Sequence, residues 1–154
     1  MNNITTVSDL MTSDVFTLNE DADFISAQQI MDLRYVRHVP VVNGKKLVGL
    51  VTHRDFMRAQ IRLLAKVSTV PDDNQDHLVR VRVSEFMSRD VLTCPPDTPA
   101  DDAMRAMLDR KSGCTLVVEN DELVGILTEA DVVAWAIATL AKQRYESVMP
   151  PPPE

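Results

Sequence analysis

The stretch that decides the fold is "VGLVTHRDF", Val48–Phe56, because it returns 76 positions later as "VGILTEADV", Val124–Val132. Both copies contain the pattern Gly-apolar-apolar-Thr-x-x-Asp. A run that is apolar along its whole length, rather than alternating, is typical of a strand buried on both faces. Thr-x-x-Asp directly after such a run is typical of the first turn of a helix. The two copies therefore predict two equivalent strand-to-helix junctions.

The repeat extends well beyond these two junctions. Residues 7–57 align with residues 83–133 without a gap, and 17 of the 51 positions are identical. "VSDLMTSDVFT" (7–17) lies over "VSEFMSRDVLT" (83–93). A repeat of this length is a signal of the whole fold. It predicts a first repeat at 4–65, an inter-repeat loop at 66–78, a second repeat at 79–145, and a disordered Pro-rich tail at 146–154.

Each repeat follows the same predicted order of strand, helix, strand, strand and helix. Apolar residues at helical spacing from Phe24 to Met31 predict the first helix of repeat 1. In repeat 2 we expect Thr98 to be the N-cap of the equivalent helix, with Pro99 at its first position. The final helices are predicted from Asp55 to about Ala65 and from Asp131 to about Tyr145.

The predicted fold class is mixed α/β (α+β). A unit of about 50 residues buries little surface by itself. We therefore expect the two β-α-β-β-α repeats to pack sheet to sheet around a pseudo-twofold axis, with the helices outside.

Composition disfavours several classes of protein. The net charge of -7 opposes nucleic-acid binding. No apolar stretch approaches the roughly 20 residues of a membrane helix, and the N-terminus does not resemble a secretory signal. Cys94 and Cys114 have no metal-ligand spacing, so reduced thiols in a cytoplasmic protein are expected. We expect no membrane partner, no metal, no tightly bound cofactor and no catalytic activity, because no P-loop, nucleophile–base pair or metal-ligand set is evident.

The Thr-x-x-Asp pairs have two interpretations. Thr52 with Asp55, and Thr128 with Asp131, could each be a capping box that needs no ligand. Alternatively, each carboxylate could accept hydrogen bonds from a ribose diol, while the helix N-terminus binds a phosphate. A glycine three residues before each Thr permits the close approach of another group, and the duplication places two such sites across a cleft.

The ordered set of "GLVTHRD", "GILTEAD", "HVPVV" (38–42) and the duplicated opening segments resembles a tandem pair of CBS domains, or Bateman module. The resemblance covers about residues 4–145. It implies a regulatory module that binds AMP, ADP, ATP or S-adenosylmethionine in the clefts between sheets. It also implies a homodimer, and we expect an unidentified regulated protein to be controlled in trans. The alternative is a structural dimerisation module without a physiological small-molecule ligand.

The resemblance also implies roles for individual residues. Ribose binding falls on Asp55 and Asp131. The resemblance places Thr52 and Thr128 on the phosphate side, to which we also assign Arg54, Arg37, His38 and His53 from their charge. The adenine side comes largely from the opposite repeat: Met11, Phe16, Val36 and also Arg37 serve the Asp131 site, while Met87, Leu92, Ser112 and Gly113 serve the Asp55 site.

The two implied sites differ in charge. Cationic or titratable residues Arg37, His38, His53 and Arg54 surround Asp55, whereas the equivalent positions around Asp131 are Gly113, Cys114, Glu129 and Ala130. Arginine binds phosphate bidentately, and a glutamate repels it. The Asp55 site is therefore predicted to favour phosphate, and the Asp131 site to be empty, weak or suited to a ligand with little negative charge. Arg37 and Arg54 could instead be solvated surface charges.

Overall fold

A computed structural model describes residues 4–67 and 81–148. The helices are α1 (Val7–Leu10), α2 (Phe24–Arg34), α3 (His53–Val67), α4 (Ala100–Arg110) and α5 (Glu129–Val148), and a 3-10 turn at Val83–Glu85 takes the place of α1 in the second repeat. The strands are β1 (Leu18–Asn19), β2 (His38–Asn43), β3 (Lys46–Thr52), β4 (Thr93–Cys94), β5 (Cys114–Glu119) and β6 (Glu122–Thr128).

Two helices run further than the sequence pattern predicts. α3 continues to Val67, and α5 continues to Val148. The remainder of the predicted loop, and the predicted tail after 148, lie outside the described residues. No helix within 4–67 or 81–148 is long and apolar enough to cross a bilayer.

Each repeat contributes three strands in the same arrangement. The short first strand is parallel to the second, and the second is antiparallel to the third. The strand order β1-β2-β3-β6-β5-β4 is continuous, because Lys46 of β3 pairs with Glu122 of β6. The predicted mixed α/β fold built from two repeats is confirmed, although β1 and β4 have only two residues each.

The two halves share a buried apolar contact. Leu50 of β3 packs with Cys114 and Leu116 of β5 and with Ile126 of β6. All four side chains are less than a tenth exposed. Because this cluster buries apolar surface from both repeats, its stabilisation is available to each repeat only when the other is present.

The repeats exchange their opening segments. Val7, from the start of repeat 1, is fully buried among Ala103 and Met107 of repeat 2. Val83, from the start of repeat 2, is fully buried in the cluster of Phe24 in repeat 1. Backbone bonds fix both segments, since Val7 donates to the Thr98 carbonyl at 2.8 Å and Phe24 donates to the Val81 carbonyl at 2.9 Å.

The first helices of the two repeats begin differently. Asp23 caps α2 through a 2.7 Å bond from the Ser26 amide. α4 begins at Ala100 with Pro99 as its N-cap and no side-chain cap, so the prediction that Thr98 is the N-cap is wrong. The exchanged segment explains the difference: the carbonyl of Thr98 accepts the Val7 amide and so stays outside the helix.

Candidate functional site

Both Thr-x-x-Asp pairs form capping boxes. The Thr52 amide and hydroxyl donate to Asp55 Oδ2 at 3.0 and 2.7 Å, and the Asp55 amide donates back to Thr52 Oγ1 at 3.2 Å. At the second junction, the Thr128 amide and hydroxyl both lie 2.7 Å from Asp131 Oδ2. These bonds satisfy donors that a helix N-terminus otherwise leaves unpaired. Each carboxylate is therefore held in one orientation by its own helix.

The second carboxylate oxygen faces a hydroxyl from the opposite repeat. Ser88 Oγ lies 3.5 Å from both Oδ1 and Oδ2 of Asp55, and Thr12 Oγ1 lies 3.3 Å from Asp131 Oδ1. Both distances exceed the usual 2.5–3.0 Å of such a bond. Because Oδ2 carries the cap while Oδ1 is only weakly engaged, Oδ1 can accept a stronger hydrogen bond without unfolding the first turn.

Gly49 and Gly125 make room for protein rather than for an open cavity. A Cβ at Gly49 would lie 2.6 Å from Met87 Sδ and 3.0 Å from the Ser88 carbonyl oxygen. A Cβ at Gly125 would collide in the same way with Met11 Sδ. The close approach inferred from these glycines is therefore made by the exchanged opening segments.

The first cleft lies beside Asp55 and has a volume of about 500 Å³. Five cationic side chains line this Asp55 cleft, against three acidic ones: Arg37, Arg54, Arg58, Arg110 and Lys111, and Asp55, Asp90 and Glu129. Arg110 is paired with Asp90 at 2.9 Å. His38 and His53 also line this cleft. The balance of charge favours an anionic ligand.

The second cleft lies beside Asp131 and has a volume of about 540 Å³. Among the described residues, Arg37 alone contributes a cation to its lining, against the three carboxylates of Asp14, Glu129 and Asp131. Phe16, Tyr35 and Val36 form an apolar side, and the guanidinium of Arg34 lies 4.5 Å from the centre of the Phe16 ring. This Asp131 cleft therefore offers flat apolar surfaces and a carboxylate, with little to attract phosphate.

A single partition separates the clefts, since Arg37, His38, Gly113 and Glu129 line both of them. A Cβ at Gly113 would lie 2.9 Å from His38 Nε2, so the imidazole occupies space that only glycine leaves free. Burial lowers the pKa of His38; Arg37 lowers it further, while Glu129 opposes the shift. At neutral pH the partition therefore carries an uncharged imidazole.

The structure gathers most of the predicted site residues at the two clefts. The Asp55 cleft is lined by Thr52, Arg54, Arg37, His38, His53, Leu92, Ser112 and Gly113, and the Asp131 cleft by Thr128, Phe16, Val36 and Arg37. Met87 and Met11 do not line them; Met87 is buried in the core of repeat 1, and Met11 packs against that of repeat 2. No group of three or more potential metal ligands occurs among residues 4–67 and 81–148.

Several residues at the clefts were not predicted from the sequence. Ser88 and Thr12 each follow a predicted methionine by one position, and it is their hydroxyls that reach the carboxylates. Arg58 and Tyr35 were also missed. Arg58 could have been found from its position one helical turn after Arg54. Tyr35 carried no sequence signal, because its exposure at the cleft depends on a left-handed backbone (φ 53°) at the end of α2.

Comparison with known protein families shows to which family this chain is related. The CBS-domain family profile matches residues 7–62 and 83–138. The chain belongs to the CBS-domain family. Its two matched segments coincide with the two repeats, and the exchanged opening segments join these CBS domains into a pair.

Three relatives illustrate the range of CBS proteins. A Vibrio cholerae protein with the provisional name acetoin utilization protein (AcuB) is 32% identical, with a TM-score of 0.78, over 96% of this chain and 100% of that one. CBSX2, solved in complex with AMP, is 26% identical, with a TM-score of 0.71, over 87% of this chain and 97% of that one. The homoserine O-acetyltransferase of Methanococcoides burtonii is 32% identical over 130 residues, which are 83% of this chain and 23% of that enzyme.

Proposed function

We propose that this CBS pair is a regulatory module that binds an adenosine-containing nucleotide in the Asp55 cleft and passes the change in shape to another protein. The observation that carries the proposal is the geometry of Asp55. Its Oδ2 is fixed by the capping box, while Oδ1 is held only by a 3.5 Å contact to Ser88. A ribose diol supplies two hydroxyl donors, which suit an oxygen in this situation.

The surroundings of Asp55 complete a nucleotide site. Arg37 and Arg54 line the same cleft beside the N-terminus of α3, where a helix favours phosphate. Leu92 and Gly113 provide an apolar wall and a backbone surface for a base. The AMP complex of CBSX2, a relative of similar fold, supports an adenine nucleotide as the ligand.

We assign a different preference to the Asp131 cleft. Its Asp131 is held as Asp55 is, but Glu129 and Ala130 stand where His53 and Arg54 stand in the first repeat. The cleft is therefore suited to an adenosine compound with little negative charge, such as S-adenosylmethionine, or remains empty at physiological nucleotide concentrations. Arg37 is the one cationic side chain among its described lining residues.

Binding would be transmitted because each cleft is built from both repeats. Ser88 and Leu92 belong to repeat 2, whereas Thr52 and Asp55 belong to repeat 1. A ligand that contacts both repeats stabilises one relative placement of the two over others. The regulated protein recognises that placement in trans, in the cytoplasm.

We further propose that the module is a homodimer. Ile61 of α3 and Ile137 and Leu140 of α5 are each 63–64% exposed, which is an unusual position for large apolar side chains on long helices. Sedimentation equilibrium tests this assembly, and a mass equal to that of one chain at micromolar concentration would contradict it.

A structural module is the second candidate, and two observations favour it. The capping boxes are complete without a ligand, and the two glycines are explained by methionine packing. In that case the clefts have no physiological occupant, and the pair serves only for association.

A thermal-shift panel distinguishes the two functions. The panel comprises AMP, ADP, ATP, S-adenosylmethionine and NADH. A ligand present at 100 times its dissociation constant adds about 2.7 kcal/mol to the free energy of unfolding, which raises Tm by about 5–10 °C for a chain of this size. We expect such a rise with at least one adenine nucleotide. No rise with any member of the panel would favour the structural module.

A further inference from the structure

The exposed face of α3 carries a row of arginines. Arg54, Arg58 and Arg62 follow one another at intervals of four residues and are all exposed. Like charges at this spacing destabilise a helix. None of the three has an acidic partner within residues 4–67 and 81–148. Arg54 and Arg58 line the Asp55 cleft, whereas Arg62 lies beyond it.

Arg37 brings a third cation without an ion pair to the same cleft from the segment before β2. Two of the three carboxylates that line this cleft are already engaged, and the third, Glu129, has no ion pair with an arginine among the described residues. Asp90 is paired with Arg110, and Asp55 is held by Thr52. In the part of the chain that the structure describes, Arg37, Arg54 and Arg58 therefore face the Asp55 cleft with no protein anion bound to them.

The second repeat provides an internal comparison. The positions equivalent to Arg54, Arg58 and Arg62 are Ala130, Ala134 and Ala138. α5 thus has the same capping box as α3 and none of its arginines. Formation of the helix and of its cap does not require the cationic row, so the row serves another purpose at the Asp55 cleft.

Building on the proposed nucleotide site, we propose that the Asp55 cleft selects nucleoside di- and triphosphates over monophosphates. The first turn of α3, with Arg54, binds the phosphate next to the ribose. Arg58, about 6 Å further along the helix, binds a phosphate beyond it. Arg37 adds a third cation to the same anion path from the segment before β2. A monophosphate reaches only the first part of this path.

The test is isothermal titration calorimetry of the full chain with AMP, ADP and ATP. We expect ATP to bind at least about tenfold more tightly than AMP, since each charged phosphate–arginine contact contributes about a factor of ten. Arg58→Ala is expected to weaken ATP binding by about tenfold and to change AMP binding by less than about twofold. Arg62→Ala, on the same face one turn beyond the cleft, is the matched control and is expected to leave both affinities unchanged.

Several results would overturn the inference. AMP binding as tightly as ATP would contradict selection while leaving the nucleotide site itself intact. Equal weakening of AMP and ATP by Arg58→Ala would show that Arg58 acts on the site as a whole. Equal effects of Arg58→Ala and Arg62→Ala on ATP affinity would show that both arginines act only through the general charge of the surface. Failure of all three nucleotides to bind the wild-type chain would instead overturn the proposed function. Inorganic tripolyphosphate is expected to bind more weakly than ATP, and equal affinity would exclude nucleoside recognition.

Discussion

Substitution at the contact between Gly49 and Met87 is the most direct test of whether the opening segments are exchanged between the repeats. Gly49→Ala would place a Cβ 2.6 Å from Met87 Sδ and 3.0 Å from the Ser88 carbonyl oxygen. The methionine is flexible, but it is 91% buried and has little space into which it can move. The carbonyl is less free still, because it accepts a 2.9 Å bond from the Leu50 amide.

The expected cost follows from these two obstructions. Overpacking a core by one methyl group costs about 1–3 kcal/mol. Loss of glycine flexibility from the unfolded chain offsets about 0.4–1 kcal/mol of that cost. The two ranges together allow a net cost of about 0–2.6 kcal/mol. Because both Met87 and the Ser88 carbonyl obstruct the new Cβ, we expect Gly49→Ala to fall in the upper half of that range, about 1.3–2.6 kcal/mol, which corresponds to a fall in Tm of about 3–10 °C.

Urea denaturation of four proteins provides the assay: wild type, Gly49→Ala, Met87→Ala and the double variant. Truncating Met87 removes the atom that the new Cβ meets. The loss of unfolding free energy in the double variant is therefore expected to be smaller than the sum of the two single losses, by about 0.5–3 kcal/mol. Gly125→Ala with Met11→Ala repeats the test in the other half of the molecule. A neutral Gly49→Ala, or additive single effects, would refute the packing of Met87 against β3.

Three further predictions concern buried groups. The Thr115 hydroxyl is buried without a hydrogen-bond partner in the described structure, and repeat 1 has Val39 at the equivalent position. Thr115→Val is therefore expected to raise the free energy of unfolding by about 1 kcal/mol in urea titrations. A lower free energy of unfolding in the variant would contradict this prediction. Burial lowers the pKa of His38, so the unfolded chain binds the proton more readily than the folded chain. Stability is therefore expected to fall as the pH drops from 6.5, the ordinary pKa of histidine, through the lower pKa of the folded state. His38→Gln should flatten this decline in Tm with falling pH, and an unchanged profile would exclude His38 as its source. Burial raises the pKa of Cys114 to about 12, which keeps the thiol protonated and unreactive. An alkylating reagent should therefore modify the half-buried Cys94 first and Cys114 only after denaturation, as followed by mass spectrometry. Prompt alkylation of Cys114 in the folded protein would contradict its burial.

Much of the fold was predictable because the sequence contains it twice. Apolar runs without alternation marked β2, β3, β5 and β6, and the repeated Thr-x-x-Asp marked the start of α3 and α5. Local pattern did not reveal the exchange of opening segments, since Val7 and Val83 look like ordinary apolar residues until their partners are known. The uncapped start of α4 has the same origin, because the Thr98 carbonyl bonds to Val7 of the other repeat.

The candidate site was predictable at the level of segments and less so at the level of atoms. Asp55 and Asp131 stand out because each follows a strand at a fixed distance from a Thr. The choice of Met87 and Met11, rather than Ser88 and Thr12, was a displacement of one residue. In an extended segment, neighbouring side chains point in opposite directions, so a change of one position exchanges a side chain packed against a core for one facing the cleft.

The most direct test of the central claim is a calorimetric titration of AMP into Asp55→Asn and Asp131→Asn, compared with the wild type. Asparagine keeps the shape of the cap but removes the charge that accepts the ribose hydroxyls. If Asp55 holds the nucleotide, Asp55→Asn weakens AMP binding by about tenfold or more, while Asp131→Asn leaves it near the wild-type value. AMP affinity that is unchanged in a folded Asp55→Asn, or lost only in Asp131→Asn, would contradict the claim.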